Sequence, residues 1–201
     1  MESAPTPREK WNRRYREPGF AALTGAPAEW LVENRDLLAG APGRRALDVA
    51  CGDGRNSRYL AELGLAVLAI DVSDVAVAAV RAAARERGLP VDARVVDLEA
   101  EPLPGAGAYD VVVNLNYLQR DVFPALAAAL APGGLLVFET FAEAHVVELG
   151  NRFDARFLLA PNELLRAFPG LHVRRYREGV ELRSGRERGV AGIVAERLLP
   201  G

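Results

Sequence analysis

Two acidic residues and two glycines are spaced in a way that suits the binding of a ribose-containing ligand. Asp48 lies within an apolar run, Gly52 and Gly54 form the turn after that run, and Asp71 follows a second apolar run. Glycines tolerate positive φ angles and have no Cβ, so the backbone of such a turn can lie against a ligand. A carboxylate in the position of Asp71 could accept hydrogen bonds from both hydroxyls of a ribose.

The elements that must position these residues follow from the hydrophobic pattern. Residues 46–50 and 65–70 have the length and bulk of buried strands, and residues 55–64 between them show helical spacing. The N-terminus of that helix would present unpaired N–H groups to a carboxylate or phosphate. Strand, glycine-rich turn, helix, strand and acid together predict one half of a nucleotide-binding βαβ unit, and hence a cofactor that contains adenosine.

Two departures separate this unit from the dinucleotide-binding fingerprint. That fingerprint has a third glycine three residues after the second, where this chain has Ser57, and it lacks the acid that this chain has inside the first strand, Asp48. The pattern Asp48-x-x-x-Gly52-x-Gly54 instead resembles motif I of the class I S-adenosylmethionine (SAM)-dependent methyltransferases. Residues 51–57, read as CGDGRNS, are similar to the tellurite-resistance-type methyltransferases and their small bacterial relatives.

The resemblance implies SAM as the cofactor and assigns residues to it. Asp97, after the third strand, would accept from the adenine amino group, and the N–H of Leu98 would donate to the adenine ring. Residues 11–15 are similar to a segment that covers the cofactor in related small methyltransferases, which brings Tyr15 to the methionine end. The expected cofactor-binding residues are Tyr15, Asp48, Ala50, Gly52, Gly54, Asn56, Asp71, Val72, Asp97, Leu98 and Asn114.

The same resemblance predicts transfer of a methyl group to a small molecule by in-line displacement. The leaving group is a neutral thioether, so neither a metal nor a covalent nucleophile is required, and alignment can supply much of the rate. Candidate acceptor-binding residues are Tyr117, Arg120, His145 and Arg152. The position where some relatives have a histidine is Gln119, which cannot act as a base, and no catalytic residue is assigned.

The rest of the chain continues the alternation of strands and helices. Further strands are predicted at residues 91–96, 109–114, 135–138, 171–179 and 190–198. Further helices are predicted at residues 8–17, 27–38, 74–87, 121–130 and 161–168. We therefore expect an α/β fold with a doubly wound, Rossmann-like, mostly parallel sheet and an antiparallel C-terminal hairpin, as in class I methyltransferases.

A single domain is expected over residues 1–201 because this length fits one hydrophobic core. Within it, residues 1–24 would form an N-terminal segment that covers the site, and residues 44–141 would form the cofactor-binding core. Residues 142–201 would supply a substrate loop and the C-terminal hairpin.

Composition excludes several classes of function. The net charge is −2 and no basic patch with interleaved aromatics is present, so a nucleic-acid partner is not expected. No apolar run approaches the ~20 residues of a membrane span and the N-terminus has no apolar signal region, so we expect a cytoplasmic protein without a membrane partner. The one cysteine, Cys51, leaves no internal disulfide, and the oligomeric state stays open.

Two other functions remain compatible with these residues. An NAD-dependent oxidoreductase would use the same βαβ unit, and Ser57 and Asp48 argue against it. A regulatory protein that binds SAM without turnover would keep the cofactor residues and need no acceptor site. The absence of an identified base leaves this second alternative open.

Overall fold

A mixed sheet organises the fold. The computed structural model describes residues 5–41 and 43–199, so the expected domain limits at residues 1 and 201 lie outside the described residues. The strands are β1 (Arg45–Val49), β2 (Ala66–Asp71), β3 (Val91–Val95), β4 (Tyr109–Leu115), β5 (Leu130–Phe141), β6 (His172–Arg183) and β7 (Arg186–Glu196). Over the described residues they form one seven-stranded sheet in the order β3-β2-β1-β4-β5-β7-β6.

Among the described strands, β7 alone runs in the direction opposite to the other six. The pairs β1–β2, β1–β4, β2–β3 and β4–β5 are parallel, whereas β7 is antiparallel to both β5 and β6. Ser184 and Gly185 connect β6 to β7, and both have positive φ angles, as tight hairpin turns require. The expected α/β fold with a mostly parallel sheet and an antiparallel C-terminal hairpin is therefore confirmed.

Helices cover both faces of the sheet. They are α1 (Pro7–Tyr15), α2 (Glu29–Glu33), α3 (Arg35–Ala39), α4 (Arg55–Glu62), α5 (Asp74–Glu86), α6 (Phe123–Ala129), α7 (Ala144–Val147) and α8 (Glu163–Ala167). On one face, Phe123 of α6 and Phe168 after α8 pack on Phe138 of β5. On the other face, Trp30 of α2 and Leu60 of α4 pack with apolar residues of β1, β2, β4 and β5. In the described part of the chain, none of the helices has the length and apolar character needed to span a bilayer.

Two predicted elements differ from the structure for local reasons. The helix expected at residues 27–38 is two short helices, because the side chain of Asn34 donates to the carbonyl of Trp30 at 2.6 Å and replaces the backbone donor there. The strand expected at residues 135–138 begins at Leu130, which pairs with Tyr109 before the register shifts. At this irregularity a Cβ on Gly134 would lie 2.8 Å from the carbonyl oxygens of both Ala131 and Tyr109.

The strand order reverses between β1 and β4. Ligands of open α/β sheets bind at such a switch point, outside the carboxyl ends of the strands. Asp48 is the last residue but one of β1, Asp71 ends β2, and Asn114 is the last residue but one of β4. The topology therefore brings three of the sequence-predicted residues to the edge of the sheet where a ligand would bind.

Candidate functional site

A cavity of about 1170 Å³ opens at the carboxyl ends of the first five strands. Residues that follow or end these strands line it, among them Ala50, Asp71, Asp97, Asn116 and Phe141. Helix α1 and the segment after it form a further wall. Small-molecule pockets typically have ~300–1,000 Å³, so this cavity has room for two ligands side by side.

The structure brings most of the predicted residues to this cavity. Those that line it are Tyr15, Ala50, Gly52, Asn56, Asp71, Val72, Asp97, Leu98 and Tyr117. Those that do not are Asp48, Gly54, Asn114, Arg120, His145 and Arg152. The residues of the second group lie in the turn after β1, make contacts elsewhere in the protein or are exposed to solvent.

The turn after β1 has an unusual backbone. Ala50, Gly52 and Gly54 all have positive φ angles, and for Ala50 this conformation is strained because of its Cβ. A Cβ on Gly52 would lie 2.6 Å from the hydroxyl oxygen of Tyr15, so α1 approaches the turn closely. The turn is thus shaped by two requirements, a left-handed backbone and space for a side chain from the N-terminal helix.

Asp71 is held in a fixed orientation at the wall of the cavity. The N–H of Gly52 donates to its Oδ2 and the N–H of Ser73 donates to its Oδ1, both at 2.9 Å. Burial raises the pKa of this carboxyl, and the backbone N–H groups of Ser73 and Gly52 oppose that rise. Each oxygen keeps a second lone pair, so the carboxylate can still accept hydrogen bonds from a ligand.

Asp48 lies below the turn and has a structural partner. Ser57 of α4 donates to its Oδ2 at 2.6 Å, and both side chains are buried. Burial raises the pKa of Asp48 to about 7, against the hydrogen bond from Ser57. Ser57, which stands where the dinucleotide-binding fingerprint has its third glycine, therefore joins α4 to β1 through a side-chain hydrogen bond.

Asn56 and Asn114 also bind parts of the chain that surround the cavity. The side-chain oxygen of Asn56 accepts from the N–H of Ala28 at 2.9 Å. The side-chain nitrogen of Asn114 donates to the carbonyl of Tyr117 at 2.8 Å, which fixes the loop after β4. Asn114 is fully buried and its Oδ1 has no hydrogen-bond partner in the described part of the chain.

The loops after β3 and β4 are joined by side chains. Tyr117 donates its hydroxyl to Gln119, and the side-chain nitrogen of Gln119 donates to the carbonyl of Leu98 at 3.0 Å. Burial raises the pKa of Tyr117 to about 12, with a contribution from Glu99. Gln119 therefore supports the cavity wall through two hydrogen bonds.

Helix α1 is joined to the start of α5 by Asn12, a residue not identified from the sequence. Its Oδ1 accepts from the hydroxyl of Ser73 at 2.7 Å, and Asn12 is buried. On the same helix, the rings of Trp11 and Tyr15 stack with centroids 5.9 Å apart, as their i, i+4 spacing predicts. Asn12 and Tyr15 are three positions apart and so share a helical face, which is the one signal that could have identified Asn12.

Arg120 and Arg152 do not point to an acceptor site. The guanidinium of Arg120 binds the carboxylate of Glu163 at 2.7 Å and the carbonyl of Leu158 at 2.8 Å. It thereby anchors the segment before α8. Arg152 is exposed and is not part of the cavity wall.

His145 is buried behind the cavity wall. Its Nδ1 accepts from the N–H of Gly189 at 3.2 Å, and its ring packs on Phe141 and Phe153, which do line the cavity. Burial lowers the pKa of His145, and the nearby guanidinium of Arg188 adds to this. The imidazole is therefore separated from the cavity by two aromatic rings.

Several cavity residues could not be identified from the sequence. They are Thr140, Phe153, Arg156 and Phe157 at one end, and Phe20 beside Tyr15. Three of them lie in the irregular segment after α7, where no motif or periodicity marks a side chain that faces a ligand. Within the described residues, no group of three or more His, Cys, Asp or Glu side chains could hold a metal ion.

Comparisons with known proteins agree with this geometry. Residues 46–134 match the family model of a methyltransferase domain. The chain is 36% identical over 144 residues to the ubiquinone biosynthesis O-methyltransferase of Bordetella avium, an alignment that covers 69% of this chain and 55% of that protein. The chain spans about half the length of the curated relatives it matches first.

Solved structures show the same fold at low sequence identity. A SAM-dependent methyltransferase from Mesorhizobium loti is 21% identical with a TM-score of 0.66, over 88% of this chain and 100% of that one. The [4+2]-cyclase SpnF is 20% identical with a TM-score of 0.72, over 100% and 99%. Residues 46–134 therefore match a methyltransferase domain, and the chain has the fold of the class I SAM-dependent methyltransferases.

Proposed function

We propose that this protein is an enzyme that transfers the methyl group of SAM to a small-molecule acceptor. The observation that carries the proposal is the cavity at the switch point, which is lined by carboxylates at or after the ends of β1, β2 and β3 and by aromatic side chains at the end of β5 and after it. The relatives named as O-methyltransferases make a hydroxyl oxygen the first acceptor atom to test.

The residues at the carboxylate end fit SAM chemically. Asp53, Asp71, Asp97 and Glu99 line the cavity there, and one cationic side chain, Arg55, lies among them. This donor and acceptor set suits a ligand with a sulfonium, an ammonium and ribose hydroxyls, and it suits a pyrophosphate poorly. The charge pattern therefore favours SAM over NAD.

Individual roles follow from these contacts. Asp71 would accept the ribose hydroxyls, because its oxygens are already oriented by Gly52 and Ser73. Asp97 and the N–H of Leu98 would bind the adenine, and the backbone of Ala50 and Gly52 would lie along the methionine half. Asp48, Gly54 and Asn114 would act indirectly, by holding the turn, α4 and the loop after β4.

SAM would supply an electrophilic methyl group whose leaving group is a neutral thioether. The task of the chain is then to align the acceptor and to exclude water. Helix α1, with Trp11 and Tyr15, would cover the cavity, and Tyr117 and Phe141 also line it. Neither histidine of the chain lines the cavity, so an acceptor that is already anionic fits best.

The division of the chain is part of the proposal. Residues 1–24 would act as the cover, a role that the position of α1 supports. Residues 44–141 would bind the cofactor, and residues 142–201 would complete the acceptor end through Phe153, Arg156 and Phe157.

Calorimetric titration with S-adenosylhomocysteine (SAH), with NAD as the parallel ligand, tests the cofactor. We expect binding of SAH alone, and binding of NAD alone would overturn the proposal. Transfer from radiolabelled SAM to a panel of phenols, carboxylates and amines then tests turnover. Tight SAH binding with no transfer to any member of the panel would favour a non-catalytic SAM-binding protein.

A further inference from the structure

The acceptor end of the cavity is dominated by aromatic rings. The chain has two Trp, five Tyr and seven Phe residues, and seven of these fourteen line the cavity. Four of the seven end β5 or follow β4 or β5, namely Phe141, Tyr117, Phe153 and Phe157. Aromatic walls favour planar apolar ligands, because rings pack well in offset-stacked and edge-to-face arrangements.

The other three aromatic residues belong to the N-terminal cover. Trp11 stacks on Tyr15, and Tyr15 contacts Phe20 with ring centroids 5.0 Å apart. Trp11 is 41% exposed, and Phe153 and Phe157 of the segment after α7 are 39% and 45% exposed. Large apolar side chains left partly in water around one cavity mark a binding site for an apolar group.

Cationic side chains line the same cavity. Among them are Lys10, Arg14 and Arg156, and Arg14 is paired with Glu17, an acid that also lines the cavity. The guanidinium of Arg156 binds Asp154 at 2.6 Å and lies 5.6 Å from the ring centroid of Phe157.

Lys10 and Arg156 line the same cavity. Hydrogen bonds from Arg156 are the main cause of the lowered pKa of Asp154, and the charge of Lys10 is a smaller cause. Lys10 has no carboxylate within 4.0 Å in the described part of the chain. Ion pairs between exposed side chains are weak, so an anionic ligand can share Arg156 with Asp154.

We infer that the methyl acceptor is a planar aromatic compound with a carboxylate or similar anionic substituent. This inference rests on the proposed function. The aromatic ring would lie between Trp11 and the pair Phe153 and Phe157, and the anion would meet Arg156 and Lys10. A sugar would leave these aromatic rings without a stacking partner. Lys10 and Arg156 would repel a cationic acceptor, and a plain hydrocarbon would have no anionic group to pair with them.

Three matched probes separate the ring from the charge. 2-Naphthoate has both, 2-naphthylmethanol lacks the charge, and decahydro-2-naphthoate keeps the carboxylate and loses the planar ring. Each is titrated calorimetrically into protein saturated with SAH, after SAH binding itself has been measured on the same preparation. We expect 2-naphthoate to bind about tenfold more tightly than either analogue, because each analogue loses one of the two contacts.

Two variants and one matched control locate the contacts. Arg156→Gln should weaken 2-naphthoate about fivefold and leave 2-naphthylmethanol unchanged, since Gln cannot pair with the carboxylate. Phe157→Leu should weaken both aromatic probes and leave the decahydro analogue unchanged. Arg152→Gln removes an exposed arginine that does not line the cavity, and it should change none of the three affinities.

The outcomes distinguish the inference from the function on which it rests. If SAH binds and the three probes bind equally, or if Arg152→Gln acts like Arg156→Gln, the acceptor inference is wrong and the cofactor proposal stands. If SAH does not bind, the proposed function is wrong and the acceptor inference is lost with it. Because Arg156 and Phe157 are exposed, both variants should keep the wild-type unfolding temperature, which is measured alongside.

Discussion

The side-chain oxygen of Asn12 accepts a hydrogen bond from the hydroxyl of Ser73 at 2.7 Å, and this contact joins the N-terminal helix to the acid that ends β2. The N–H of Ser73 donates to Asp71, and Asp71 in turn accepts from Gly52. Helix α1, the start of α5 and the glycine turn are thus parts of one hydrogen-bonded chain. A change at Asn12 should therefore affect the proposed cofactor end of the site.

Asn12→Ala should loosen α1 and weaken SAH binding. The change leaves the hydroxyl of Ser73 without its acceptor, and a lost buried hydrogen bond costs about 1–3 kcal/mol. We expect faster cleavage between residues 8 and 20 in limited proteolysis, and a rise in the dissociation constant for SAH. Asn12→Asp keeps the acceptor oxygen and is the control, so equal proteolysis of the Ala and Asp variants would contradict the proposed role.

Asp71→Ala should weaken SAM binding by about 1–3 kcal/mol, because the ribose hydroxyls would lose a charged acceptor. The structure adds a second effect, since the N–H groups of Gly52 and Ser73 lose their partner as well. Calorimetry gives the affinity, and urea unfolding checks that the variant is folded. Asp74→Ala, at the exposed first residue of α5, is the control, and unchanged affinity in folded Asp71→Ala would show that the site is misplaced.

Gly52→Ala should destabilise the protein in two separable ways. The left-handed backbone costs about 1–2 kcal/mol for a residue with a Cβ, and that Cβ would also meet the hydroxyl of Tyr15. Tyr15→Phe removes the hydroxyl. The double variant should therefore regain the stability lost through the contact with Tyr15, but not the stability lost through the left-handed backbone. Urea unfolding of the four proteins measures the coupling, and strictly additive effects would mean that Tyr15 and Gly52 are not in contact.

Asp48→Asn should make the stability less dependent on pH. The pKa of Asp48 is raised to about 7 in the folded protein, above its ordinary value of 3.8, so the folded state holds a proton that the unfolded state releases. The free energy of unfolding therefore falls as pH rises from about 4 to about 7, by up to ~1.4 kcal/mol per pH unit for this group.

Asn at position 48 has no charge to acquire and can still accept from Ser57. Urea unfolding at pH 5, 6 and 7 should thus give a smaller slope for Asp48→Asn than for the wild type. Asp92→Asn, at an exposed position on β3, controls for the loss of one carboxylate. Equal slopes in all three proteins would mean that Asp48 does not hold a proton near neutrality.

The sequence predicts the βαβ unit, and with it two residues that line the cavity, Gly52 and Asp71, because this unit is local. Asp48, Gly52, Gly54 and Asp71 lie in one continuous segment whose periodicity defines each element. The hairpin is equally predictable from the alternation of apolar and polar residues along its strands and from its Ser184-Gly185 turn. These features depend on neighbours in the chain, so a single sequence contains them.

The proposed acceptor end depends on contacts between distant segments, and of the four residues that the sequence suggests for it, Tyr117 alone lines the cavity. Arginine is a common anion-binding residue, and Arg120 is therefore a candidate for binding the acceptor. In the structure it binds Glu163, 43 positions away in the chain. His145 faces Gly189 on β7 and not the cavity. Asn12 gains its role from Ser73, 61 positions away, and no motif marks such a pair.

The position of β7 between β5 and β6 affects how the chain can fold during its synthesis. Of the seven described strands, β7 is the last to leave the ribosome, yet it pairs with both β5 and β6. Until residues 186–196 have emerged, the hydrogen-bonding edge of β5 stays unpaired, and such an edge is a site for aggregation. Completion of the sheet must therefore wait for the end of translation of this segment, and slow synthesis just before residue 186 would prolong the exposure of nascent chains to chaperones and to one another.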